Sequence, residues 1–532
     1  MLSGQPIIIL KENVERTRGQ EAQRSNSAAA KAIAAAVRTT LGPRGMDKML
    51  VSSTGDIVIT NDGATILSEM SVQHPGAKMV IEVAETQDDE VGDGTTTACI
   101  LVGALMEQGE LMLAKMVHPT VIANGYTMGM NRALEIVEEN AIRVDPGDRE
   151  TLIKIADTSM TGKSIEQVKD KLNGIVVDAV MTVAEDRNGE KIVDRDDIMV
   201  KKQKGETIDD ASLIKGIVID KTRASESMPK RVREARIALV AQPLEIVKTQ
   251  VKAKIKINTA DQLNAFGAQE REALKQLADT VAATGANVLL CQKGISDPVQ
   301  YYLAKAGVLA IQDVKEEDMK YAARALSGKV VNKVSELTAD DLGYAALVEE
   351  ADDAELVTFS GCENPKAITI LLRGSTDYLI DELERAVVDG TSVVADAIED
   401  GTFVVGGGAV ETELSLRLRE YAATVGGRAQ LAIDAFATVF ESIPLTLAEN
   451  SGFNPLDKLV ELRAAHSRGE KNAGLNVYSG EVVDMLEAGV IEPARVKRQA
   501  IQSAAETAIL LIRVDDMMVT QSRSPMGMPG GA

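Results

Sequence analysis

The stretch V-G-D-G-T-T-T at residues 91–97 is the part of the sequence from which the fold and the chemistry are best predicted. It lies between two helical patterns, 77–90 and 95–115, so its two glycines fall where a turn opens a helix. A helix N-terminus presents unpaired N–H groups and a partial positive charge, and the threonine hydroxyls add donors. The stretch predicts a phosphate site; a glycine turn capped by threonines is the alternative.

Asp93 lies inside this predicted anion site, where its carboxylate would repel a phosphate unless a cation lay between them. Mg²⁺ commonly binds through one or two carboxylates together with substrate phosphates. The sequence therefore predicts Asp93 as a magnesium ligand.

The composition restricts the class of protein. A length of 532 residues predicts about three domains. The formal charge of −22 disfavours general binding to nucleic acid or anionic membranes. Three cysteines without a C-x-x-C pair indicate neither a disulfide framework nor a zinc site, and Cys99, Cys291 and Cys362 are far apart. With no signal-peptide pattern and no run of about 18 apolar residues, a cytoplasmic protein is predicted.

The first 150 residues read as overwhelmingly helical. A strand is predicted at 6–10, a helix at 20–40 and a hairpin from strands 49–51 and 57–60. Further helices are predicted at 95–115, 119–139 and 148–160. Glycines in the turns at 40–43 and 61–65 would allow the backbone to approach a ligand closely.

From about residue 214 the pattern changes to short apolar strands that alternate with helices, as in an α/β module with parallel character. The predicted strands are 215–219, 236–240, 288–291, 308–311 and 330–334, with a helix at 298–305. The segment 245–282 is too long for a routine connection; its lysines 248, 252, 254 and 256 favour a solvated face over a nucleic-acid patch.

The remainder returns to a helical pattern. The predicted elements are a strand at 367–372, a helix at 377–399, a strand at 403–405, a helix from the Gly406-Gly407-Gly408 turn to 420, and a last strand at 512–514. A helical outer domain split around an α/β insertion is the simplest architecture.

Two motifs imitate known nucleotide sites and are rejected. T-G-K-S at 161–164 resembles the end of a P-loop, but the glycine required five residues before Gly162 is Asp157. The glycines at 406–408 resemble a dinucleotide fingerprint, but the third glycine position is Glu411. Lys163 remains a candidate phosphate contact.

Several further motifs occur in order along almost the whole chain. They are T-T-L-G-P-R-G-M-D-K-M-L at 39–50, T-N-D-G-A-T-I-L at 60–67, V-V-G-G-G-A at 404–409, G-L-N-V-Y-S-G at 474–480 and I-E-P-A-R-V at 491–496. Together with residues 91–97 and 161–164, the chain resembles an archaeal-type group II chaperonin of the thermosome family.

The resemblance implies a multidomain α plus α/β chaperonin fold. A mostly helical equatorial ATP-binding domain would comprise 1–147 and 402–532. A small intermediate hinge domain would comprise 148–215 and 367–401. An α/β apical substrate-binding domain would comprise 216–366, with a helical lid protrusion at about 245–282.

The resemblance also implies the residues that bind ATP and Mg²⁺. Asp93 would hold the metal, Asp62 would lie nearby in a catalytic role, and Glu492 would accept a hydrogen bond from the ribose. The other expected nucleotide contacts are Leu41, Gly42, Pro43, Asn61, Gly63, Gly94, Thr95, Thr96, Thr97, Lys163, Gly407, Gly408, Asn476 and Val477.

Asp389 would be the catalytic carboxylate, supplied from the intermediate domain to orient the attacking water. Its neighbours Val388 and Gly390 depart from the family pattern, and glycine there costs about 1 kcal/mol of helix propensity relative to alanine. The short tail keeps only a remnant of the Gly-Met repeats common in the family.

The implied function is an ATPase chaperone that encapsulates non-native client proteins in a double ring of identical or paralogous subunits. A built-in lid would make a separate lid protein unnecessary, and neither nucleic acid nor membrane is an expected partner. The alternatives are an ATP-dependent small-molecule kinase and a passive ring protein.

Overall fold

The structure is a computed structural model that describes residues 14–52, 55, 57–162, 168–204, 211–246, 260–351, 355–362 and 365–520. Within it the chain forms two compact units, Met1–Lys163 with Asp400–Ala532, and Ser164–Glu399. The predicted division into three domains stays a prediction.

The first segment of the chain is mainly helical. Its elements are β1 (Val14–Arg18), α1 (Gln20–Arg38), β2 (Lys48–Val51), β3 (Ile57–Thr60), α2 (Gly63–Ser68), α3 (Pro75–Val91), α4 (Thr95–Ala114), α5 (Pro119–Asn140), β4 (Ile142–Arg143) and α6 (Arg149–Met160).

The middle segment contains most of the strands. Its elements are α7 (Lys169–Val183), β5 (Glu185–Arg187), β6 (Glu190–Ile192), β7 (Ile198–Lys204), β8 (Ser212–Ile214), β9 (Gly216–Ile219), β10 (Arg231–Val240), α8 (Ala260–Ala283), β11 (Val288–Cys291), α9 (Asp297–Lys305), β12 (Leu309–Ile311), α10 (Glu316–Ala325), β13 (Val330–Val331), β14 (Gly343–Glu350), β15 (Val357–Ser360), β16 (Ile368–Gly374) and α11 (Asp377–Asp400).

The last segment is again mostly helical. Its elements are β17 (Thr402–Val405), α12 (Ala409–Val425), α13 (Gly427–Val439), α14 (Ser442–Asn450), α15 (Pro455–Ser467), β18 (Ala473–Leu475), β19 (Val482–Asp484), β20 (Ile491–Pro493), α16 (Ala494–Arg513) and β21 (Asp516–Thr520).

Helix α4 lies at the centre of the first unit, where it packs against α1, α3 and α16. It is apolar around almost its whole circumference, as expected of a helix surrounded by others. Helices α4 and α1 approach closely because Gly103 faces Ala34, where a methyl group would clash. The start of α4 is therefore fixed by the core of the bundle.

The ends of the described chain pair with each other. Strand β1 is antiparallel to β21, with Val14 opposite Thr520 and Arg18 opposite Asp516. Arg16 forms an ion pair with Asp516 across the two strands. This small sheet joins the two ends of the described chain within the first unit.

In the second unit a mixed sheet has the order β12-β11-β10-β14-β15-β9, and β13 pairs with β10. Side chains alternate along β10: Ile237 and Leu239 join the core that includes α10, while Ala238 and Val240 join the core that includes α8 and α9. The sheet is thus covered on both faces, which explains the continuous apolar runs. A separate sheet has the order β7-β16-β8.

The predicted elements compare closely with the observed ones, with three corrections. The predicted last strand at 512–514 is wrong, because Ile512 is buried on the last turn of α16 and the strand is β21. The strand predicted at 330–334 ends at Val331, since a 3₁₀ turn starts at Val334. The sheet is only partly parallel, since β14 and β15 run antiparallel to their neighbours.

Other predicted features lie outside the described residues. They are the strand at 6–10, Lys163, and lysines 248, 252, 254 and 256 with the rest of 247–259. The helix predicted at 261–282 is present as α8.

Two helical stretches, Thr95–Ala114 and Gly427–Asn450, are long and apolar enough to cross a membrane by length and composition alone. Their windows are 56% and 72% buried inside the structure. Core helices of a bundle have this composition, so the two stretches are weak evidence for a membrane protein.

Candidate functional site

The loop between α3 and α4 has the backbone that residues 91–97 predict. Gly92 (φ 66°) ends α3 and Gly94 (φ 81°) precedes α4, both in the left-handed region that glycine adopts without penalty. The N–H of Ala98 donates to the carbonyl of Gly94 at 2.9 Å, which begins the helical ladder. The N–H groups of Thr95, Thr96 and Thr97 precede that ladder, so they are the donors of a helix N-terminus.

The position of Asp93 is fixed from both sides. Its Oδ1 accepts a hydrogen bond from the N–H of Gly94 at 2.7 Å. Its main-chain carbonyl accepts one at 2.8 Å from Nε2 of Gln87, a fully buried side chain that also donates to the carbonyl of Val496 at 3.2 Å. The Asp93 carboxylate is therefore presented at the start of α4.

Among the described residues no group of three or more His, Cys, Asp or Glu side chains could hold a metal ion. The donor set at Asp93 is one carboxylate beside a helix N-terminus. This set fits Mg²⁺, which takes one or two carboxylates and completes its shell with phosphates and water.

The start of α2 lies against the start of α4. A methyl group on Gly63 would fall 2.7 Å from Oγ1 of Thr96 and 2.9 Å from Oγ1 of Thr95. Asp62 caps α2, because its Oδ2 accepts a hydrogen bond from the N–H of Thr65 at 2.7 Å. Asn61 donates to the carbonyl of Gly162 at 2.8 Å. The turn at 61–65 thus lies beside the phosphate loop.

The turn after α1 lies beside Gly162 and α14. Gly42 (φ 80°) packs against Leu447, whose Cδ2 would be 2.5 Å from an added methyl group. Nδ2 of Asn450 donates to the carbonyl of Leu41 at 2.9 Å. The Cα of Pro43 lies 2.8 Å from where a methyl group on Gly162 would be. Residues 41–43 are therefore fixed between these two elements.

The glycine turn before α12 also lies against α14. A methyl group on Gly408 (φ 80°) would meet Cβ of Pro444 at 3.0 Å. The N–H of Leu475 donates to the carbonyl of Gly407 at 2.9 Å, which places Asn476 and Val477 next along the chain. Oδ1 of Asn476 accepts from the N–H of Tyr478 at 2.9 Å, so this loop is tightly turned.

These contacts form a closed circuit within the first unit. Gly406 lies beside Oε1 of Glu492, 3.4 Å from an added methyl group, and Val496 of the following helix packs against Gly94. From Gly94 the contacts run through Gly63, Asn61, Gly162 and Pro43 to α14, and from α14 back to the glycine turn. The circuit connects the stretches that carry the predicted nucleotide contacts, except for Lys163, which lies outside the described residues.

A buried charge cluster adjoins the circuit. Nζ of Lys497 lies 2.5 Å from Oε1 of Glu411 and 3.1 Å from Oε1 of Glu492. Burial raises the pKa of Glu492 to about 7; the Lys497 ammonium opposes this, and the Glu411 and Asp93 carboxylates add to it. The pKa of Lys497 is also raised: burial lowers it, but the two carboxylates outweigh that effect.

Sequence reasoning missed Lys497 and used Glu411 only to reject a dinucleotide site. The available signal was a lysine five residues after the predicted ribose contact, but a lysine is usually exposed.

Asp389 lies in the second unit, on α11, where its side chain is partly buried. Its neighbour Val388 is exposed, whereas Gly390 is buried. Gly390 thus lies on a buried side of α11. The catalytic role of Asp389 stays a prediction.

Comparisons with known proteins bear on the whole chain. The family model for the TCP-1/cpn60 chaperonin family matches residues 33–522. The chain is 52% identical over 522 residues to the thermosome subunit beta of Archaeoglobus fulgidus, covering 98% of this chain and 96% of that protein. It is 50% identical over 534 residues to the thermosome subunit of Pyrococcus abyssi, covering 100% of this chain and 97% of that protein.

A solved structure is also similar. The open-state monomer of a group II chaperonin from Methanococcoides burtonii has a TM-score of 0.61 and 43% sequence identity. The match covers 80% of this chain and 100% of that one.

Proposed function

The chain belongs to the TCP-1/cpn60 chaperonin family, and we propose that ATP hydrolysis at the circuit in its first unit drives a protein-folding cycle. Members of this family are ATP-dependent chaperones, and the thermosome subunits it resembles at about half identity are group II chaperonins that form double rings and fold proteins. The chain is accordingly a chaperonin subunit.

The observation that carries the proposal is the circuit of contacts around the start of α4. The N–H groups and hydroxyls of Thr95, Thr96 and Thr97 would bind the phosphates, and Asp93 would hold Mg²⁺ against them. When bound, Mg²⁺ neutralises phosphate charge. Asn61 and Gly63 would complete the phosphate contacts, and Asp62 would lie beside them as a cap of α2.

The other side of the circuit would hold the nucleoside. Gly407 and Gly408 would let the backbone approach the ribose, and Glu492 would accept a hydrogen bond from a ribose hydroxyl. The further contacts proposed for the nucleoside are Leu41, Gly42, Pro43, Asn476 and Val477.

Asp389 would orient the attacking water from α11 of the second unit. Phosphoryl transfer depends mainly on positioning and charge stabilisation. A carboxylate that belongs to a different unit from the phosphate loop would make hydrolysis conditional on closure. This arrangement would couple ATP turnover to a change of shape.

The client proteins would be non-native chains that expose apolar segments, and the subunits of the ring would be identical or paralogous. We propose a cytoplasmic location and no separate lid protein. The lid would be the segment 245–282, of which the structure describes 245–246 and 260–282. Helix α8 (Ala260–Ala283) is 24 residues long and spans about 36 Å at 1.5 Å per residue.

The test compares Asp389→Ala with Asp381→Ala, a control on the same helix. Asp381 is half exposed and pairs with Lys202 at 3.0 Å. Asp389→Ala should keep ATP affinity in calorimetry while steady-state turnover falls about 10²-fold or more, as expected on loss of a positioned base. Asp381→Ala should change neither quantity by more than about twofold, since exposed ion pairs contribute little.

The assignment fails if Asp389→Ala turns ATP over at nearly the rate of the unmodified protein. A protein that does not bind ATP, or that transfers the phosphate to a small molecule instead of water, would overturn the proposed function as a whole. Negative-stain microscopy of the same samples would show whether stacked rings are present.

A further inference from the structure

The charge cluster of Glu411, Glu492 and Lys497 is buried inside the first unit, and the proposed roles so far use only Glu492. Glu411 lies in the first turn of α12, Glu492 in β20 and Lys497 in the first turn of α16. Relative to a fully exposed residue, 2% of Glu411 and 8% of Lys497 is accessible. Burying a charge is costly unless it is paired, so this lysine depends on the two carboxylates.

We propose that Lys497, anchored by Glu411, is a positioning residue that orients the Glu492 carboxylate toward a sugar hydroxyl and makes the site selective for ribonucleotides. The inference rests on the proposed function, because it concerns the sugar end of the same nucleotide site.

The geometry separates the two oxygens of Glu492. Lys497 contacts Oε1 at 3.1 Å, and Gly406 lies beside the same oxygen. Oε2 is then the oxygen that a hydroxyl would reach. The Glu492 side chain is 18% accessible, compared with 2% for the side chain of Glu411, so Glu492 is the carboxylate of the pair that a ligand can contact.

Glu411 has a different role from Glu492. It lies closer to the ammonium, at 2.5 Å, and is almost fully enclosed. A lysine side chain has several rotatable bonds and would otherwise be free to move. The Glu411 contact fixes the ammonium at one point, and the ammonium in turn fixes Oε1 of Glu492.

Selectivity follows from the charge of the acceptor. Above pH 7 the ionised form of Glu492 predominates, and a hydrogen bond to an ionised, partly buried carboxylate is stronger than one between neutral groups. A nucleotide without sugar hydroxyls would leave that acceptor unpaired, and sites built to bind a hydroxyl reject analogues that lack it. Burial and the Glu411 and Asp93 carboxylates raise the pKa of Glu492 and only Lys497 lowers it among the largest influences, which agrees with the role that the contacts give the ammonium.

The experiment measures dissociation constants for ATP and for 2′,3′-dideoxy-ATP on the full-length protein. Unmodified protein should prefer ATP by about 10-fold or more. Lys497→Met should weaken ATP binding and leave dideoxy-ATP binding nearly unchanged, so that the preference shrinks at least about fivefold. Lys497→Arg, which keeps the positive charge, should retain most of the preference.

A control removes a different ion pair of the same unit. Lys31 contacts Glu110 at 2.6 Å and lies outside the circuit, so Lys31→Met should leave both constants unchanged. If Lys497→Met does not fold, as judged by circular dichroism, Lys497→Gln is measured instead, because it keeps a donor without the charge.

Two results for Lys497→Met overturn the inference alone: equal weakening of both nucleotides, which indicates a purely structural ion pair, or no change in either dissociation constant. Failure of the unmodified protein to bind ATP would instead overturn the proposed function, and the inference with it. The two failures are therefore distinguishable.

Discussion

A methyl group added at Gly94, at the start of α4, should destabilise the protein more than the left-handed backbone conformation of this residue alone explains. Gly94 has φ 81°, and a methyl group there would lie 2.9 Å from Cγ1 of Val496 and 3.1 Å from Nε2 of Gln87. Gly452 has φ 80° in the same unit, but a methyl group there would meet no atom within 4 Å. The two glycines differ in their surroundings and hardly at all in φ.

The variants Gly94→Ala and Gly452→Ala therefore separate the cost of backbone strain from the cost of displacing neighbouring side chains. Placing alanine in the left-handed region costs about 1–2 kcal/mol, and Gly452→Ala should lose that amount of stability. Gly94→Ala should lose about 1–3 kcal/mol more, because overpacking shifts the neighbouring side chains. Gln87 holds the carbonyl of Asp93, so this shift would also displace the proposed metal ligand.

The assays are thermal unfolding for stability and calorimetric titration for ATP. Gly94→Ala should bind ATP at least about 10-fold more weakly, equivalent to 1.4 kcal/mol. Gly452→Ala should bind ATP as the unmodified protein does. The reasoning is refuted if both variants lose the same stability and both keep full ATP affinity.

Three other expected outcomes can be checked separately. Burial raises the pKa of the Cys99 thiol from 9.0 to about 12, so at pH 8 its thiolate should be about 10³-fold scarcer than that of a thiol with the ordinary pKa. Iodoacetamide should therefore label Cys99 only after unfolding, and rapid labelling of the native protein, read by mass spectrometry, would contradict this. Burial raises the pKa of Asp197 from 3.8 to about 6, and the ion pair with Arg324 opposes this, so the pair stabilises the fold only at a pH where Asp197 is ionised. Arg324→Met should therefore lower the melting temperature more at pH 7.5 than at pH 4.5, and equal losses at the two pH values would contradict this. Replacing residues 248–269 by a Gly/Ser linker should leave ATP turnover intact and abolish protease resistance of the nucleotide-closed state; continued retention of a refolding client would show that this segment is not the lid.

Much of the fold could be predicted because its helices have strong periodic patterns and clear ends. Helix α4, for example, begins at Thr95 as predicted, since a left-handed glycine followed by threonines is typical of a turn that opens a helix. The apolar run at 512–514 wrongly predicts a strand, because Ile512 is apolar for packing within α16. A short apolar run does not distinguish a strand from a buried helix end.

The candidate site could be predicted in its loops but not in its supporting contacts. Glycine turns leave a local signal, whereas the pairing of Lys497 with Glu411 depends on two elements that are distant in sequence. Alternation along β10 likewise could not show that β14 would pair antiparallel to it, because pairing partners are set by tertiary packing.

The pairing of β1 with β21 sets an order of events during synthesis. Arg16 and Asp516 are 500 residues apart, and ribosomes add about 5–20 residues per second, so β1 waits roughly 25–100 s for its partner. The segment Ser164–Glu399 is continuous in sequence and has its own cores, so it can fold while the rest is still being made. The first unit can be completed only after the last strand leaves the ribosome, and until then its early helices expose apolar faces that a nascent-chain-binding factor could cover.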